Sequence, residues 1–67
     1  MLKINGKDLS QYTGKTVAEM LALEDYVAAQ VAVERNEEIL PKGTYEDTVL
    51  ADGDVIEVVS FMGGGAR

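Results

Sequence analysis

The residues of this chain that could take part in chemistry lie near its end, where Gly63, Gly64 and Gly65 precede Ala66 and Arg67. Three glycines in a row form a thin, flexible thread that can enter a narrow channel in another protein. A free glycine carboxylate has no Cβ to block an attacking group, but it needs prior activation, for example adenylation by ATP in a partner enzyme. Composition alone equally allows a disordered tail or an expression remnant, because glycine-rich ends are common.

The rest of the chain contains no recognisable catalytic constellation. It has no cysteine and no histidine, which excludes disulfides, a thiolate metal site, a cysteine nucleophile and a histidine-activated serine. The segment Asp52–Asp54 offers too few oxygen ligands for a calcium loop and is interpreted as a β-turn. The acidic pairs at 37–38 and 46–47 are interpreted as solvated surface. We therefore expect a protein that is not an enzyme and has no metal site of its own.

The charge of the chain narrows the classes of partner. Twelve acidic and six basic residues give a net charge of −6, which opposes binding to nucleic acid and to anionic membranes. An acidic surface suits steering toward a basic protein partner. No apolar run approaches the length of a membrane span, and the N-terminal residues lack a secretory signal pattern. We expect a cytoplasmic protein that binds neither nucleic acid nor membrane.

At 67 residues and 46% hydrophobic content, the chain is long enough for one compact domain, near the lower limit for a single core.

The first third of the chain predicts a hairpin. Alternating apolar and polar residues predict strands at about 1–5 and 8–12. Between them, Asn5 and Gly6 form the dipeptide that most readily adopts positive φ in a tight turn.

A helix is predicted next, beginning at a capping box. Thr16 and Glu19 have the spacing at which a threonine side chain caps an early amide and a glutamate reaches back. Three apolar residues then recur at helical spacing, namely Val17, Met20 and Leu21. The pattern predicts a helix to about residue 24, and Leu23 or Val27 extends its buried side.

The second half of the chain predicts short strands and one strong one. Residues 30–35 form a strand with alternate valines facing the core, and residues 39–40 form a short apolar anchor. A short strand at 48–50 and a turn lead to 55–62, the most strongly β-prone run of the chain. Because this run is apolar on both faces, we expect it at the centre of the sheet.

The order of these elements predicts an α+β fold with one helix packed across one face of a mixed sheet. The β-grasp arrangement fits it, since there the last strand lies parallel to the first and beside it. Residues 1–62 are the predicted domain, and residues 63–67 are a predicted flexible, glycine-rich tail.

Three stretches of this sequence resemble the ThiS family of sulfur carriers, namely residues 2–7, 33–40 and 52–65. The resemblance covers almost the whole chain. Molybdopterin synthase small subunits and ubiquitin-like proteins share the paired glycines, so the Val-Glu-Arg-Asn segment at 33–36 is the more discriminating part. The resemblance implies a ubiquitin-like β-grasp fold.

The resemblance also implies a reaction and a set of partners. In that family a ubiquitin-activating-type enzyme, ThiF, uses ATP and magnesium to adenylate the terminal glycine carboxylate. Sulfur drawn from cysteine through a cysteine desulfurase then replaces the adenylate and gives a thiocarboxylate. Thiazole synthase, ThiG, receives this sulfur during thiamine biosynthesis. Carried over to this chain, the reactive residue is Gly65, with Gly64 as second choice, and the chain itself binds no cofactor.

Ala66 and Arg67 depart from the family pattern, in which the chain ends at glycine. The side chain of Arg67 is too bulky for a channel shaped for glycine. Reaction at Gly65 therefore requires that a protease removes the two residues, or that they are a cloning remnant. A chain that is not a working carrier is the third alternative.

Partner contacts are expected on the face of the sheet that points away from the helix. If Ile56 and Val58 face the helix, alternation places the next odd-numbered residues on the other face. The predicted partner-binding residues are Val59, Phe61, Met62 and Gly63. For the first three of these, core packing or burial at a sheet edge is an equal alternative.

Three other functions fit the same pattern. The chain could supply sulfur to a molybdopterin or tungsten cofactor or to another metabolite. It could be a ubiquitin-like modifier joined to lysines of target proteins, which would produce adducts of higher mass. It could also be a β-grasp binding module whose tail is irrelevant, in which case deletion of residues 63–67 would leave its function intact.

Overall fold

The computed structural model describes residues 1–61 of the chain. Within them lies a five-stranded mixed sheet with one α-helix. The strands are β1 (Lys3–Ile4), β2 (Lys7–Asp8), β3 (Val31–Arg35), β4 (Glu38–Ile39) and β5 (Val55–Ser60), and the helix is α1 (Val17–Leu23). Three short 3₁₀ helices connect them, at Ser10–Tyr12, Ala28–Gln30 and Lys42–Thr44. No helix in this part of the chain is long and apolar enough to cross a membrane.

The last strand lies at the centre of the sheet, as the sequence predicts. The strand order is β2-β1-β5-β3-β4. Strand β5 runs parallel to β1 and antiparallel to β3, along which its register places Val58 opposite Val33. This topology, with one helix over one face, is the predicted β-grasp arrangement.

The first hairpin turns at the predicted dipeptide, since Asn5 and Gly6 have φ values of 52° and 82°. The predicted second strand at 8–12 is wrong beyond Asp8. The carboxylate of Asp8 accepts hydrogen bonds from the backbone N and the Oγ of Ser10, at 3.2 and 2.5 Å. These local bonds hold residues 10–12 in a 3₁₀ turn instead of a ladder.

Helix α1 begins at the predicted capping box. The Oγ1 of Thr16 accepts from the backbone N of Glu19 at 3.1 Å, and the Glu19 carboxylate accepts from the backbone N of Thr16 at 2.8 Å. The predicted burial of Leu23 and Val27 is wrong, because their side chains are 56% and 55% exposed. The chain leaves the helix axis at Asp25, which has a φ of 64°, so residue 27 does not continue the helical face.

The core lies between α1 and one face of the sheet. Its members are the buried apolar residues Leu2, Ile4, Val17, Met20, Leu21, Val31, Val33, Tyr45, Leu50, Ile56 and Val58. On the strands that contribute to this list, alternation directs the buried residues toward the helix. The residues between them point to the opposite face of the sheet, which α1 does not cover. That exposed face is the part of the fold relevant to binding.

Two short predictions in the second half are corrected. Residues 48–50 form no strand of the sheet; Val49 makes an isolated bridge with Thr16, and the backbone N of Leu50 donates to the carbonyl of Lys15 at 2.8 Å. Ile39 is no apolar anchor either, because it is 65% exposed on β4, while Leu40 is half-buried against the core. Residues 48–50 thus pair with a distant part of the chain, whereas residues 39–40 pair with the neighbouring strand β3.

Candidate functional site

The alternation predicted for the last strand is confirmed. Ile56 and Val58 are 0% and 7% exposed on the helix side of β5, whereas Val59 and Phe61 are 56% and 55% exposed on the other side. The structure thus excludes core packing for Val59 and Phe61. Their contact with a partner stays a prediction.

Neighbouring strands extend this exposed face. The register places Ala32 opposite Val59 and Glu34 opposite Glu57, and it places Ile39 beside Glu34 at the edge of the sheet. We call the surface the outer face and define it by Glu34, Ile39, Val55, Glu57, Val59 and Phe61. It combines four exposed apolar side chains with two carboxylates.

Two apolar members of the outer face were missed by the sequence reasoning, as were its carboxylates, Glu34 and Glu57. Val55 is 47% exposed, and its position two residues before Glu57 on the same strand could have revealed it by alternation. Ile39 could not be found in this way, because two residues of β4 are too short a segment to show a period.

The two carboxylates give the outer face a negative centre. Glu34 and Glu57 are directly opposite each other on antiparallel strands, an arrangement that is destabilising for like charges. Among residues 1–61, neither carboxylate has a basic nitrogen within 4.0 Å. A depression of about 570 Å³ beside them is lined by Glu34, Asn36, Glu37, Val55 and Glu57. The outer face therefore suits a partner surface that brings apolar and basic side chains together.

Asparagine side chains hold β5 where its neighbouring strands end. The Oδ1 of Asn36 accepts from the backbone N of Val55 at 2.9 Å, and the backbone N of Asn36 donates to the carbonyl of Val55 at 2.8 Å. Beyond the two residues of β1, the Oδ1 of Asn5 accepts from the backbone N of Val58 at 2.7 Å. Both asparagines have φ values near 52°, so a turn and a side-chain contact to β5 come from the same residue.

The turn before β5 is fixed by its own carboxylates, which confirms the β-turn interpretation. Asp54 is buried and accepts from the backbone N of Ala51 at 3.0 Å and from the Nδ2 of Asn36 at 3.2 Å. The carboxylate of Asp52 pairs with the N-terminal amine of Met1. That hydrogen bond holds the pKa of Asp52 below its ordinary value. These contacts set the direction in which β5 begins.

Strand β5 leads toward the predicted reactive residues. Phe61 is the last described residue, and its backbone N donates to the carbonyl of Gln30 at 3.1 Å. The predicted site residues Met62, Gly63, Gly64 and Gly65 lie outside the described residues, as does the predicted domain boundary after residue 62.

A known protein family matches nearly the whole of this chain. The sequence model of the ThiS family matches residues 2–65. This chain belongs to the ThiS family. The match includes every strand described above and ends at Gly65, so the ThiS pattern reaches the third glycine and excludes Ala66 and Arg67.

Individual relatives agree with this assignment to the ThiS family. The sulfur carrier protein ThiS of Bacillus subtilis is 46% identical over 67 residues, covering 97% of this chain and 100% of that protein. A crystal structure of the thiamine biosynthesis protein (ThiS) from Geobacter metallireducens covers 96% of this chain and 97% of its own, with a TM-score of 0.73 and 37% identity. The β-grasp fold is therefore common to this chain and a solved ThiS structure.

One relative is much longer than this chain. A thiazole synthase of Paramagnetospirillum magneticum is 42% identical over 65 residues, covering 97% of this chain and 20% of that protein. The chain thus spans about a fifth of the length of this relative. A ThiS-like segment and the remainder of a thiazole synthase occur there in one polypeptide.

Proposed function

We propose that this chain is a sulfur carrier protein of thiamine biosynthesis that bears its sulfur as a thiocarboxylate on Gly65. The observation that carries the proposal is the family match over residues 2–65, which ends at that glycine. Full-length similarity to the ThiS sulfur carrier of Bacillus subtilis supports the carrier role.

The proposed reaction begins with activation of the Gly65 carboxylate. One carboxylate oxygen attacks the α-phosphorus of ATP, the bond from that phosphorus to the bridging oxygen breaks, and pyrophosphate leaves. In the simplest second step, hydrosulfide attacks the carbonyl carbon of the acyl adenylate. The C–O bond to the phosphate then breaks, AMP leaves with the electron pair, and the proton of the hydrosulfide passes to solvent. The product is a thiocarboxylate on Gly65.

The catalytic groups for both steps belong to partners in this proposal. The chain has neither histidine nor cysteine, so it offers no ordinary general base at neutral pH and no thiol to carry sulfur. A ThiF-type adenylating enzyme binds ATP and magnesium. A cysteine desulfurase takes the sulfur from cysteine as a persulfide, from which a thiol reductant releases hydrosulfide while the reductant is oxidised to a disulfide. The β-grasp domain acts as the part that these enzymes recognise. Its cytoplasmic location stays a prediction.

The outer face is the proposed docking surface for the activating enzyme. Its apolar residues Val59 and Phe61 are more than half exposed next to the segment that carries the reactive glycine. The carboxylates of Glu34 and Glu57 suit basic side chains on the enzyme, and the net charge of −6 favours rapid encounter with a basic surface. Apolar contacts then supply affinity, and the charges supply orientation.

Thiazole synthase is the proposed recipient of the sulfur. Support comes from the thiazole synthase of Paramagnetospirillum magneticum, whose sequence includes a segment 42% identical to nearly all of this chain. Joining two interacting proteins in one polypeptide raises their effective concentration to the millimolar range for short linkers, by order of magnitude. The separate chain is proposed to make the same contact without a linker.

In a chain that continues past Gly65, cleavage after this residue is a required step of the proposal, since the amide to Ala66 leaves Gly65 without a free carboxylate. The test compares three forms of the protein, ending at Met62, Gly65 and Arg67, in ATP–pyrophosphate exchange with the cognate adenylating enzyme. All three retain residues 1–61. We expect exchange with the form ending at Gly65 and none with the other two. No exchange with the Gly65 form, in the presence of an enzyme active on its own carrier, would refute the proposal.

A further inference from the structure

Lys42 differs from the other lysines of the described chain in the number of groups that its ammonium contacts. Its Nζ donates to the carbonyl of Val31 at 2.6 Å and to the carbonyl of Ala28 at 3.0 Å. The same nitrogen lies 4.9 Å from the centroid of the Phe61 ring. Within residues 1–61, the side chains of Lys3, Lys7 and Lys15 donate no hydrogen bond and form no ion pair.

These contacts meet where β5 ends. The last pair of the β3–β5 ladder joins Val31 to Ser60, and one further bond runs from the backbone N of Phe61 to the carbonyl of Gln30. The two carbonyls bound by Lys42 lie on either side of Gln30 in the sequence. Lys42 therefore fixes both the backbone that Phe61 pairs with and the ring of Phe61 itself.

The backbone around Lys42 is suited to this task. Pro41 has a φ of −63° and begins the 3₁₀ helix Lys42–Thr44, and its carbonyl accepts from the backbone N and the Oγ1 of Thr44, at 3.0 and 2.7 Å. A proline followed by a closed turn restricts the backbone of the lysine before its side chain forms any contact. The Lys42 side chain therefore extends from a backbone of restricted conformation.

We propose that Lys42 is a positioning residue that holds Phe61 and the end of β5 in place ahead of the reactive glycine. The proposal rests on the sulfur-carrier function proposed above. A strand end with few partners frays at little free-energy cost, and a cation held on an aromatic face opposes fraying of the residue that bears the ring. Phe61 stays 55% exposed, so its ring still has surface for the partner. Lys42 thus holds Phe61, the member of the outer face nearest the reactive glycine, in a fixed position.

Loss of the Lys42 contacts is expected to weaken recognition of the carrier by the adenylating enzyme and to leave the chemical step unchanged. An enzyme that must select the correctly presented fraction of a carrier shows an apparent affinity reduced by that fraction. If loss of the ammonium reduces the competent fraction to between a tenth and a third, the KM for the carrier rises about three- to tenfold with kcat unchanged. Arginine at position 42 keeps the positive charge, has N–H donors for the backbone carbonyls and stacks on aromatic rings.

The experiment uses the form ending at Gly65 and measures kcat and KM in ATP–pyrophosphate exchange for wild type, Lys42→Met, Lys42→Arg and the control Lys7→Met, which removes the same charge from the edge strand β2. We expect a raised KM for Lys42→Met alone, with wild-type kcat, and recovery in Lys42→Arg. In the NMR spectrum of the isolated protein, the Lys42 ε-protons should show an upfield ring-current shift in wild type.

Each outcome of this experiment decides between the two proposals. A wild-type KM for Lys42→Met, an equal rise for Lys7→Met, or no recovery in Lys42→Arg would overturn the positioning role and leave the carrier function intact. A wild-type Gly65 form that supports no exchange would overturn the carrier function. A change in kcat instead of KM would contradict positioning, because it would place the effect of Lys42 in the chemical step.

Discussion

Substitutions at two adjacent valines of β5 separate an effect on partner binding by the outer face from an effect on the stability of the fold. Val58 lies in the core and is 7% exposed, whereas Val59 lies on the outer face and is 56% exposed. Replacing each by threonine makes the same chemical change, a methyl for a hydroxyl, and keeps the β-branched shape that a strand favours. The two variants therefore differ only in the face on which the hydroxyl is placed.

The expected stabilities follow from burial. A hydroxyl introduced at Val58 is removed from water without a designed partner, which costs about 1–3 kcal/mol in the free energy of unfolding. A hydroxyl at Val59 stays hydrated in the free protein, so we expect a change within about 0.5 kcal/mol. Urea denaturation measures both values, provided that the m-value is the same for the two variants.

The expected binding effects are the reverse. Contact with a partner would bury the Val59 side chain, and a lost methyl contact of about 0.8 kcal/mol corresponds to a roughly fourfold higher KM for the adenylating enzyme. Val58→Thr should keep the wild-type KM at temperatures where it is fully folded. Equal destabilisation by the two substitutions, or an unchanged KM for Val59→Thr, would refute the assignment of the outer face.

Three other substitutions test local features of the fold. Thr16→Ala removes the capping hydrogen bond to Glu19 and should cost about 0.5–2 kcal/mol in urea denaturation, and an unchanged midpoint would contradict the capping box. Tyr45→Phe removes a buried hydroxyl that has no hydrogen-bond partner among residues 1–61, so we expect unchanged or slightly higher stability, whereas a loss above about 1 kcal/mol would reveal a hidden partner. The hydrogen bond from Ser10 lowers the pKa of Asp8 below its ordinary 3.8. The ionised Asp8 carboxylate therefore stabilises the folded protein above pH 3.8, and this stabilisation is lost as the pH falls through the lower pKa of Asp8 in the folded state. Thermal unfolding should therefore depend less on pH below about 4 in Asp8→Asn than in wild type, and parallel curves would contradict this contribution.

The elements that the sequence predicted well are those whose signals are local. The Asn5-Gly6 turn needs positive φ at two adjacent residues, and those residue types supply it at low cost. The capping box at Thr16 is complete within four residues. Strand β5 is long enough to show alternation, which placed Val59 on the correct face.

Two of the predictions that failed concern short segments whose pairing the sequence does not show. Residues 48–50 look like a strand, but their backbone bonds go to the segment before α1 and not to the sheet. Ile39 looks like a core residue, yet the register of the two-residue strand β4 directs it outward. Tertiary contacts override local propensity in such short segments.

The candidate site was predictable in part for the same reason. Val59 and Phe61 follow from alternation along one strand. The carboxylates of Glu34 and Glu57 become neighbours through the β3–β5 register, which the sequence does not show. Lys42 reaches Phe61 across nineteen positions of the chain, and no periodicity relates the two residues.

The intact mass of the protein isolated from its native cell shows whether the chain carries sulfur on Gly65. The measurement is repeated after incubation with ATP, magnesium, cysteine, a cysteine desulfurase, a thiol reductant and the cognate adenylating enzyme. We expect a mass without Ala66 and Arg67, followed by the mass increment for replacing one oxygen atom with one sulfur atom. A full-length mass that never changes, with partners shown to be active, would contradict the sulfur-carrier function while leaving the β-grasp fold in place.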